Sequence, residues 1–581
     1  MANFFTDNKD VRFLFDYYDL KELAALQERE TPNGDADYAP RNLDDALDNY
    51  RQILTVVGDI AGNVLAKNAE TVDAEGNTLN EDQTVTLHPL VRQNLDLVAQ
   101  ADLQGFTLPR KYGGLNCPTL VYTMATEIIS RGDCSFMNLF GLQGIAETIY
   151  AFASDELKDE YLPKFARGEV TGAMALTEPD AGSDLQAVRL CASQDENGEW
   201  KLNGVKRFIT NGCGEVLLVL ARSEAHISDG RGLSLFVVDR GPTVKVRNLE
   251  QKLGIHGSPT CEIVFDDTPC RLIGERQRGL ITYVMALMNG ARLGIAAQSL
   301  GVAESAQRLA RSYVNSREQF GAPIENLPAV AEMVADMRVR IEAGRALTYE
   351  TARVCDFEQN YNRLLERNAD ALTDEEKKSF RREARTLKKL NAMLTPMSKY
   401  FCSEMCVSVA NDAIQAMGGS GYMTEYAAER YYRDARITTI YEGTSQLQVV
   451  AAIRGLTSGV FKSYVAQFEE KEYGDEVLDS YKEKLITTRA RLEDAIAFVR
   501  SKGSAYVELR ARKLIDAGIA ILIGHYFLGQ ASKCDRKKKV ATYYISKELG
   551  NIAGIIATVE NGSTQILDDY LEIVGPVEEE D

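Results

Sequence analysis

The sequence predicts an α+β multidomain protein in which helical and strand-forming blocks follow one another instead of alternating. Apolar residues recur at three- and four-residue spacing from Leu43 to about Gly168, and again from Gly279 to about Gly455. Between Thr171 and about Ile273 the chain breaks into short β-branched or alternating runs separated by Gly, Asn and Asp. Residues 456–581 form a further helical block. Segregated blocks imply an N-terminal helical domain, a central antiparallel β-barrel or sandwich, a C-terminal helical bundle and an extra C-terminal helical domain. The expected boundaries are 1–42 for an N-terminal extension, then 43–170, 171–275, 276–455 and 456–581 for the domains.

Residues 1–45 are mixed in character, with a loop-like TPNGDADYAP stretch ending at Pro40. LDDALDNYRQILTVVGDIAGNVLAKNA, YTMATEIISRGD and ASDELKDEYLPKFARGE carry the helical period, and the Pro and Gly of LPRKYGGLNCPT break it. WKLNGVKRFITNG, EVLLVLARS, LSLFVVDR, VKVRNL and CEIVFDD then read as antiparallel strands. A βαβ dinucleotide fold would need helices between those strands, and none fits. Cys355–Lys389 is dense in charge and reads as a solvated helical hairpin, while the chain ends in the acidic VEEED.

Acidic residues outnumber basic ones by 85 to 66 over 581 residues, a net charge of −19. Nucleic acid and anionic membranes repel such a surface, although a local basic pocket for a phosphate-bearing ligand remains open. The ten cysteines form no CxxC pair; Cys402 and Cys406 alone fall at helical i,i+4 spacing, and reduced intracellular thiols are the expectation. His88, His226, His256 and His525 stand apart from one another, so no metal site is expected. The first residues lack a continuous apolar signal core. No stretch approaches the roughly 18 apolar residues of a membrane span. The longest, Ile515–Leu528, contains Asp516 and His525, and a cytoplasmic protein with no integral membrane segment is expected.

Two segments carry chemistry. ALTEPDAGSDLQA (Ala175–Ala187) joins a helical to a strand region, and its small residues allow close approach to a phosphate or flat ring; a plain interdomain connection reads equally well. In QAMGGSGYMTEYAAERYYRDARITTIYEGTSQ (Gln415–Gln446), Gly418, Gly419 and Gly421 interrupt a helical pattern. Each costs about 1 kcal/mol relative to alanine. Close backbone approach to a ligand or a sharp helix–helix turn would both explain them. Glu442 sits in the loop-like YEGTS, where a lone glutamate is ordinarily a solvated surface residue.

Together these segments resemble the two signature motifs of the acyl-CoA dehydrogenase family. The first matches its small–aliphatic–Ser/Thr–Glu–x–x–small–Gly–Ser–Asp pattern. The second matches at Gln415, Gly418, Gly419, Gly421, Tyr422, Glu425, Arg430 and Asp434, followed by the family's IYEGTSQ. The resemblance spans about Leu43 to Gly455. KLGIHGSPTCEIVF and MNGARLGIAAQSLGVAE look closest to a larger-subunit branch that includes the 3-methylthiopropionyl-CoA dehydrogenases. Residues 355–389 and 456–581 fit that branch's additions, which also resemble the extra helical domain of very-long-chain enzymes.

The resemblance implies an FAD enzyme of fatty-acid β-oxidation in which Glu442 removes the alpha proton of an acyl-CoA while the beta hydride passes to flavin N5. Burial against flavin and acyl chain is expected to raise the carboxyl's pKa towards the working pH. Leu176, Thr177, Phe208 and Thr210 are expected along the flavin ring, with Phe208 standing where the family often has Trp. Gly182 and Ser183 approach the pyrophosphate, and Ser183 also the pantetheine arm. Arg317, Phe320, Gln415, Gly418 and Gly419 match positions reaching a neighbouring subunit's FAD, and Thr444 and Gln446 match further FAD contacts. Arg292 matches the arginine facing CoA; Glu442 and Gly443 complete the substrate set. Asn289 and Ala291 depart from well-known relatives: an acidic CoA contact is lost at the first, and an alternative base is excluded at the second. The Asn138–Gln143 region is expected to shape an apolar acyl pocket. The implied assembly is a homodimer or dimer of dimers, with an electron-transfer flavoprotein as acceptor. The alternatives are an acyl-CoA oxidase, a reductive-direction enzyme, or a silent scaffold that keeps the fold.

Overall fold

The computed structural model describes residues 2–30 and 36–577; the TPNGD half of the first loop and the last four acidic residues lie outside them. The chain forms two compact units: residues 1–387 with 402–444, and residues 388–401 with 445–581.

The first unit begins with structure that the mixed N-terminal composition conceals. Asn8 caps the helix Lys9–Tyr17 by accepting from the backbone N–H of Asp10 and Val11. That helix delivers Val11, Leu14 and Phe15 to the helical core. It also brings Asp10 to the fully buried Arg345, which pairs with Glu127 and, at 3.0 Å, with Glu304. Arg338 completes the set on Glu304 at 2.7 Å. The surrounding carboxylates hold the Arg345 guanidinium well above its ordinary value against the opposing effect of burial. Buried charges survive when matched in this way. This network ties the N-terminal helix to the helices Thr119–Gly132, Met285–Ser316 and Pro328–Arg367.

The helical period from Leu43 is realised as Leu43–Ile60, a π-helical turn Ala61–Leu65 and Ala66–Glu75. The charge-dense stretch forms the expected hairpin: Pro328–Arg367 turns into Asp374–Met417 at a capping box between Thr373 and Glu376. Leu364 and Leu372 are buried at that turn, so the hairpin is less solvated than its charge implies.

The β block closes on itself. Trp200–Thr210 pairs antiparallel with Thr260–Leu272, which pairs antiparallel with Leu233–Asp239. Leu233–Asp239 pairs antiparallel with Val216–Arg222, and Val216–Arg222 returns through Cys191–Gln194 to Trp200–Thr210. Val244–Leu249 adds to the Thr260–Leu272 strand. The five runs read from alternation all form strands, and the sheet holds two short strands they did not include, of which Cys191–Gln194 is one. Gly172–Ala175 is the other and runs parallel to Val216–Arg222. Four residues are too few to show a period, and parallel pairing is possible because residues 176–215 form the long crossover connection between the two strands.

In the second unit the helix Ser504–Ala531 packs with Ser445–Thr457, Glu476–Ser501 and Asp535–Glu560. Gly518 and Gly524 let Leu456 and Leu485 approach it, to 2.9 and 3.0 Å from where a Cβ would stand. Its apolar length corrects the expectation that no stretch approaches a membrane span. Gly279–Ser316 and Ser504–Ala531 are both long and apolar enough to cross a membrane. The most apolar window of Ser504–Ala531 is 94% buried inside the protein, as the central helix of a bundle would be. Asp516 on this helix accepts from Tyr400 at 2.7 Å. His525 is fully buried beside Phe468, and neither ring nitrogen has a partner among the described residues.

Burial pulls the His525 pKa down to about 3. In the unfolded chain the same imidazole protonates near its ordinary value of about 6.5. Between those limits the unfolded chain binds more protons, so stability falls as pH drops below 6.5, by about 1.4 kcal/mol per pH unit. Calorimetric melting of the full chain and of His525→Leu between pH 7.5 and 5.5 isolates this contribution: the variant is expected to gain stability relative to the parent as pH falls below 6.5. An equal pH slope in that variant would assign the loss to other groups.

Candidate active site

Glu442 lies on a bend between the helices Ala428–Ile437 and Ser445–Thr457, half-buried, with a left-handed φ of 55°. Gly443 follows at φ 88°. A non-glycine residue in this region is held there by its neighbours, at a cost of about 1–2 kcal/mol. The Tyr441 hydroxyl donates to the side-chain oxygen of Gln298 and lies 3.2 Å from Asn138 Oδ1. Gln298 in turn donates to the Cys134 carbonyl at 3.0 Å and to Asn138 Oδ1 at 3.1 Å.

The helix before the bend is anchored as well. Asp434 accepts from the Ile255 N–H at 2.6 Å, and Arg433 pairs with Asp73 and Glu429, each at 2.6 Å. Gly254 has to be glycine, because a Cβ would stand 2.6 Å from the Arg433 carbonyl carbon. Burial pushes the Asp434 carboxyl up to about 7, and the Asp73 carboxylate raises His256 to about 9.

Arg292, on Met285–Ser316, donates Nη1 to Asn289 at 3.1 Å, while its Nε is buried without a partner among the described residues. Burial lowers its pKa and the nearby Glu442 carboxylate raises it. The structure thus brings Arg292 and Glu442 within electrostatic reach of one another.

A second group of predicted residues gathers on the β block. Lys206, fully buried, donates to the Leu176 carbonyl at 2.8 Å and to Glu178 at 2.9 Å. Glu178 also accepts from the N–H of Arg189 and Leu190. One ion pair therefore fixes both ends of the Leu176–Leu190 segment. Gly182 and Ser183 stand exposed at its crest, and half-buried Thr177 accepts from the Arg207 N–H at 2.9 Å. Phe208 sits at a bulge, where register shifts between Lys206 and Ile209, with φ 60° and 53% exposure. The bulge turns its ring outward beside half-buried Thr210.

The third group is exposed. Phe320 is 93% exposed at φ 55° on the tight Glu318–Pro323 hairpin, next to exposed Arg317. Exposed Gln415, Gly418 and Gly419 close the helix Asp374–Met417. A Cβ at Gly418 or Gly419 would meet nothing within 4 Å, whereas one at Gly421 would stand 2.7 Å from the Ile414 carbonyl. Gly421 thus serves the turn, as does Gly418 through its φ of 59°, and Gly418 and Gly419 leave an open backbone surface. Tyr313 joins the two exposed segments through its 3.0 Å contact with Ser420. Thr444 is half-buried after the bend, and Gln446 is exposed on Ser445–Thr457 in the second unit.

Comparison with known proteins decides the family. Profiles of the N-terminal, middle and C-terminal domains of acyl-CoA dehydrogenase match residues 48–169, 173–268 and 278–457. The acryloyl-CoA reductase (NADH) of Anaerotignum propionicum is 35% identical over 63% of this chain and 87% of its own. The chain belongs to the acyl-CoA dehydrogenase family. The 3-methylmercaptopropionyl-CoA dehydrogenase of Ruegeria pomeroyi is 34% identical over 69% of each chain. A solved acyl-CoA dehydrogenase of Bacillus anthracis, complexed with FAD, has the same fold with a TM-score of 0.73, 24% identity and 90% of each chain covered.

The sequence reading missed Lys206, Gln298 and Asn8. Gln298 and Asn8 sit in ordinary helical patterns, and only Lys206 leaves a trace, as a lone charge in an otherwise strand-like run. Replacing it tests what it holds. Lys206→Met is expected to leave Glu178 buried with only backbone donors and to lower stability by about 3 kcal/mol. Limited proteolysis is expected to cut faster within residues 176–190; unchanged cleavage would show that the segment is held by other means.

Proposed function

We propose that the protein desaturates an acyl-CoA between C2 and C3 to the trans-2-enoyl-CoA, with FAD as cofactor, Glu442 as base and an electron-transfer flavoprotein as acceptor. The observation that carries this is the bend at Glu442: a carboxylate held at a left-handed φ, half-buried, within electrostatic reach of a half-buried arginine.

The residues present suit the cofactor. Phe208 offers an exposed ring face, Thr177 and Thr210 offer hydroxyls, and the exposed Gly182–Ser183 crest offers backbone without bulk. Bound FAD supplies the acceptor for the beta hydride. Glu442 takes the alpha proton onto its carboxylate. Its backbone N–H donates to the thioester carbonyl, where negative charge develops as the proton leaves. Arg292 presents a cation to the anionic CoA moiety, and Ser183 a hydroxyl to its pantetheine arm. Arg317, Phe320, Gln415, Gly418 and Gly419 share one exposed face through Tyr313, which supports their role in completing a partner subunit's FAD site in a homodimer or dimer of dimers. A relative named as a reductase favours a second reading, in which the same groups work in the opposite direction and Glu442 returns the proton.

The test is anaerobic bleaching of the oxidised-flavin band by a panel of acyl-CoAs. Bleaching by a saturated thioester is expected, and Glu442→Gln is expected to retain flavin and bind acyl-CoA while the rate falls by about a thousandfold. Undiminished bleaching in that variant would place the base elsewhere. Bleaching by NADH but by no saturated thioester would favour the reductive direction, and peroxide release in air an oxidase.

A further inference from the structure

We propose that this site takes an acyl group carrying an uncharged hydrogen-bond acceptor beyond C3, with the side-chain amide of Asn138 as donor; this rests on Glu442 being the base. Asn138 is 7% exposed on the helix Cys134–Phe140. Gln298 fixes the sense of its amide. The Gln298 oxygen accepts from Tyr441, so its nitrogen is the atom that donates, to the Cys134 carbonyl and to Asn138. The atom of Asn138 facing that nitrogen is therefore the oxygen. Its Nδ2 is left buried with no partner among the described residues. Buried donors are nearly always matched, so an acceptor absent from the chain is expected to arrive from outside it.

The position suits the far end of an acyl group. The amide oxygen of Asn138 lies 3.2 Å from the hydroxyl of Tyr441, the residue next to the base. Arg292 precedes Gln298 by six residues on one helix. That separation is about 9 Å along its axis. The CoA end and the amide end are thus set apart along the same element. Met137 reaches within 3.5 Å of the Cβ position of Gly294, and Leu287 within 3.6 Å of that of Gly144. The segment from Met137 to Gly144 therefore lines the stretch of helix that carries Arg292. Gln143, the other amide in this region, is fully used by the Phe106 N–H and the Leu103 carbonyl. The Asn138–Gln143 wall is apolar through Leu139, Phe140 and Leu142, and Asn138 is its one unmatched donor among the described residues.

The acceptor should be neutral. Every group hydrogen-bonded to the Asn138 amide is uncharged, and the fields of Asp434 and Asp133 reach the adjacent Tyr441 and Cys134. The Arg430 guanidinium also reaches Cys134, but two carboxylates outnumber it; a further carboxylate would enter that negative field, whereas an ether or ketone oxygen would accept from Nδ2 without a charge to compensate.

Three isosteres of one chain length test this on the flavin-loaded full chain: hexanoyl-CoA, 4-methoxybutanoyl-CoA and 3-ethoxypropanoyl-CoA, with adipoyl-CoA as the anionic arm. At least one ether is expected to exceed hexanoyl-CoA in kcat/KM by about tenfold, the scale of one buried hydrogen bond gained against a donor left unmatched. Adipoyl-CoA is expected to be the poorest. Asn138→Leu should abolish the ether preference, and Asn138→Asp, which keeps the acceptor for Gln298, should do the same with normal flavin content. Equal rates for hexanoyl-CoA and both ethers, or an ether preference that survives both variants, would overturn the proposal and leave an ordered water as the partner of Nδ2. A protein bleached by no thioester would instead overturn the dehydrogenase reading, and this proposal with it.

Discussion

Gln298 has no access to water, so both ends of its amide must be answered by protein. They are answered by Tyr441 on one side and by Cys134 and Asn138 on the other. Three segments distant in sequence therefore meet at one amide: the helix that carries Arg292, the helix Cys134–Phe140, and the bend that carries Glu442. Helix packing alone would set these segments to within a side chain's slack. Hydrogen bonds between buried groups restrict them further, because a small displacement leaves an amide or hydroxyl unmatched. The left-handed φ of Glu442 depends on that restriction. A strained residue persists only where its surroundings over-determine it.

The β block applies the same device with charge. The Lys206–Glu178 pair is enclosed on all sides, and burial pulls the lysine down to about 8 even with its partner present. Such a pair gains little net stability over an apolar one. Its value lies in geometry: the Leu176 carbonyl and the Arg189 and Leu190 N–H groups are bound to one centre, so the Gly182–Ser183 crest projects from a fixed base. The bulge at Phe208 begins two residues after Lys206, which places the outward ring and the crest in a fixed relation to the same ion pair. Asn211 holds the far side, donating to the Gly172 carbonyl at 2.9 Å from its own left-handed position.

The block order, the main antiparallel strands and the charged hairpin were legible in the sequence, because each rests on a pattern of period or charge over many residues, whereas closure of the sheet, with barrel and sandwich both open, was not. Where the period is too short to show, the sequence is silent, as with Gly172–Ala175 and Cys191–Gln194. The N-terminal helices were hidden for another reason. Their charges, Asp10 above all, read as solvent-facing, and only the fold supplies the buried Arg345 that answers them. The glycines of the second motif divide in a way that no spacing could reveal: Gly421 is required by Ile414, Gly418 by its left-handed φ of 59° at the helix end, and Gly419 by no contact within 4 Å. Glu442 was identified through family resemblance, since a glutamate in a polar loop has no signature of its own. The groups that position it, Gln298 and Tyr441, resemble any helix-borne glutamine and any loop tyrosine until their hydrogen bonds are seen.

How completely polar groups are matched separates scaffold from site around the Glu442 bend. Gln143, Gln298, Lys206 and Glu178 are buried and fully engaged, and each holds a loop or a helix end in place. Asn138 is buried and Arg292 half-buried, yet each keeps a buried donor without a partner among the described residues. An unmatched buried donor is unfavourable, and packing could remove it with an apolar residue of similar size. These two lie at opposite ends of a short stretch of helix facing the bend, one cationic and one neutral. A chain of net charge −19 thus presents a cation where an anionic carrier would lie and an uncharged amide where an acyl group would end. Global charge governs which surfaces the protein avoids, and the local imbalance of donors over acceptors governs what its interior accepts.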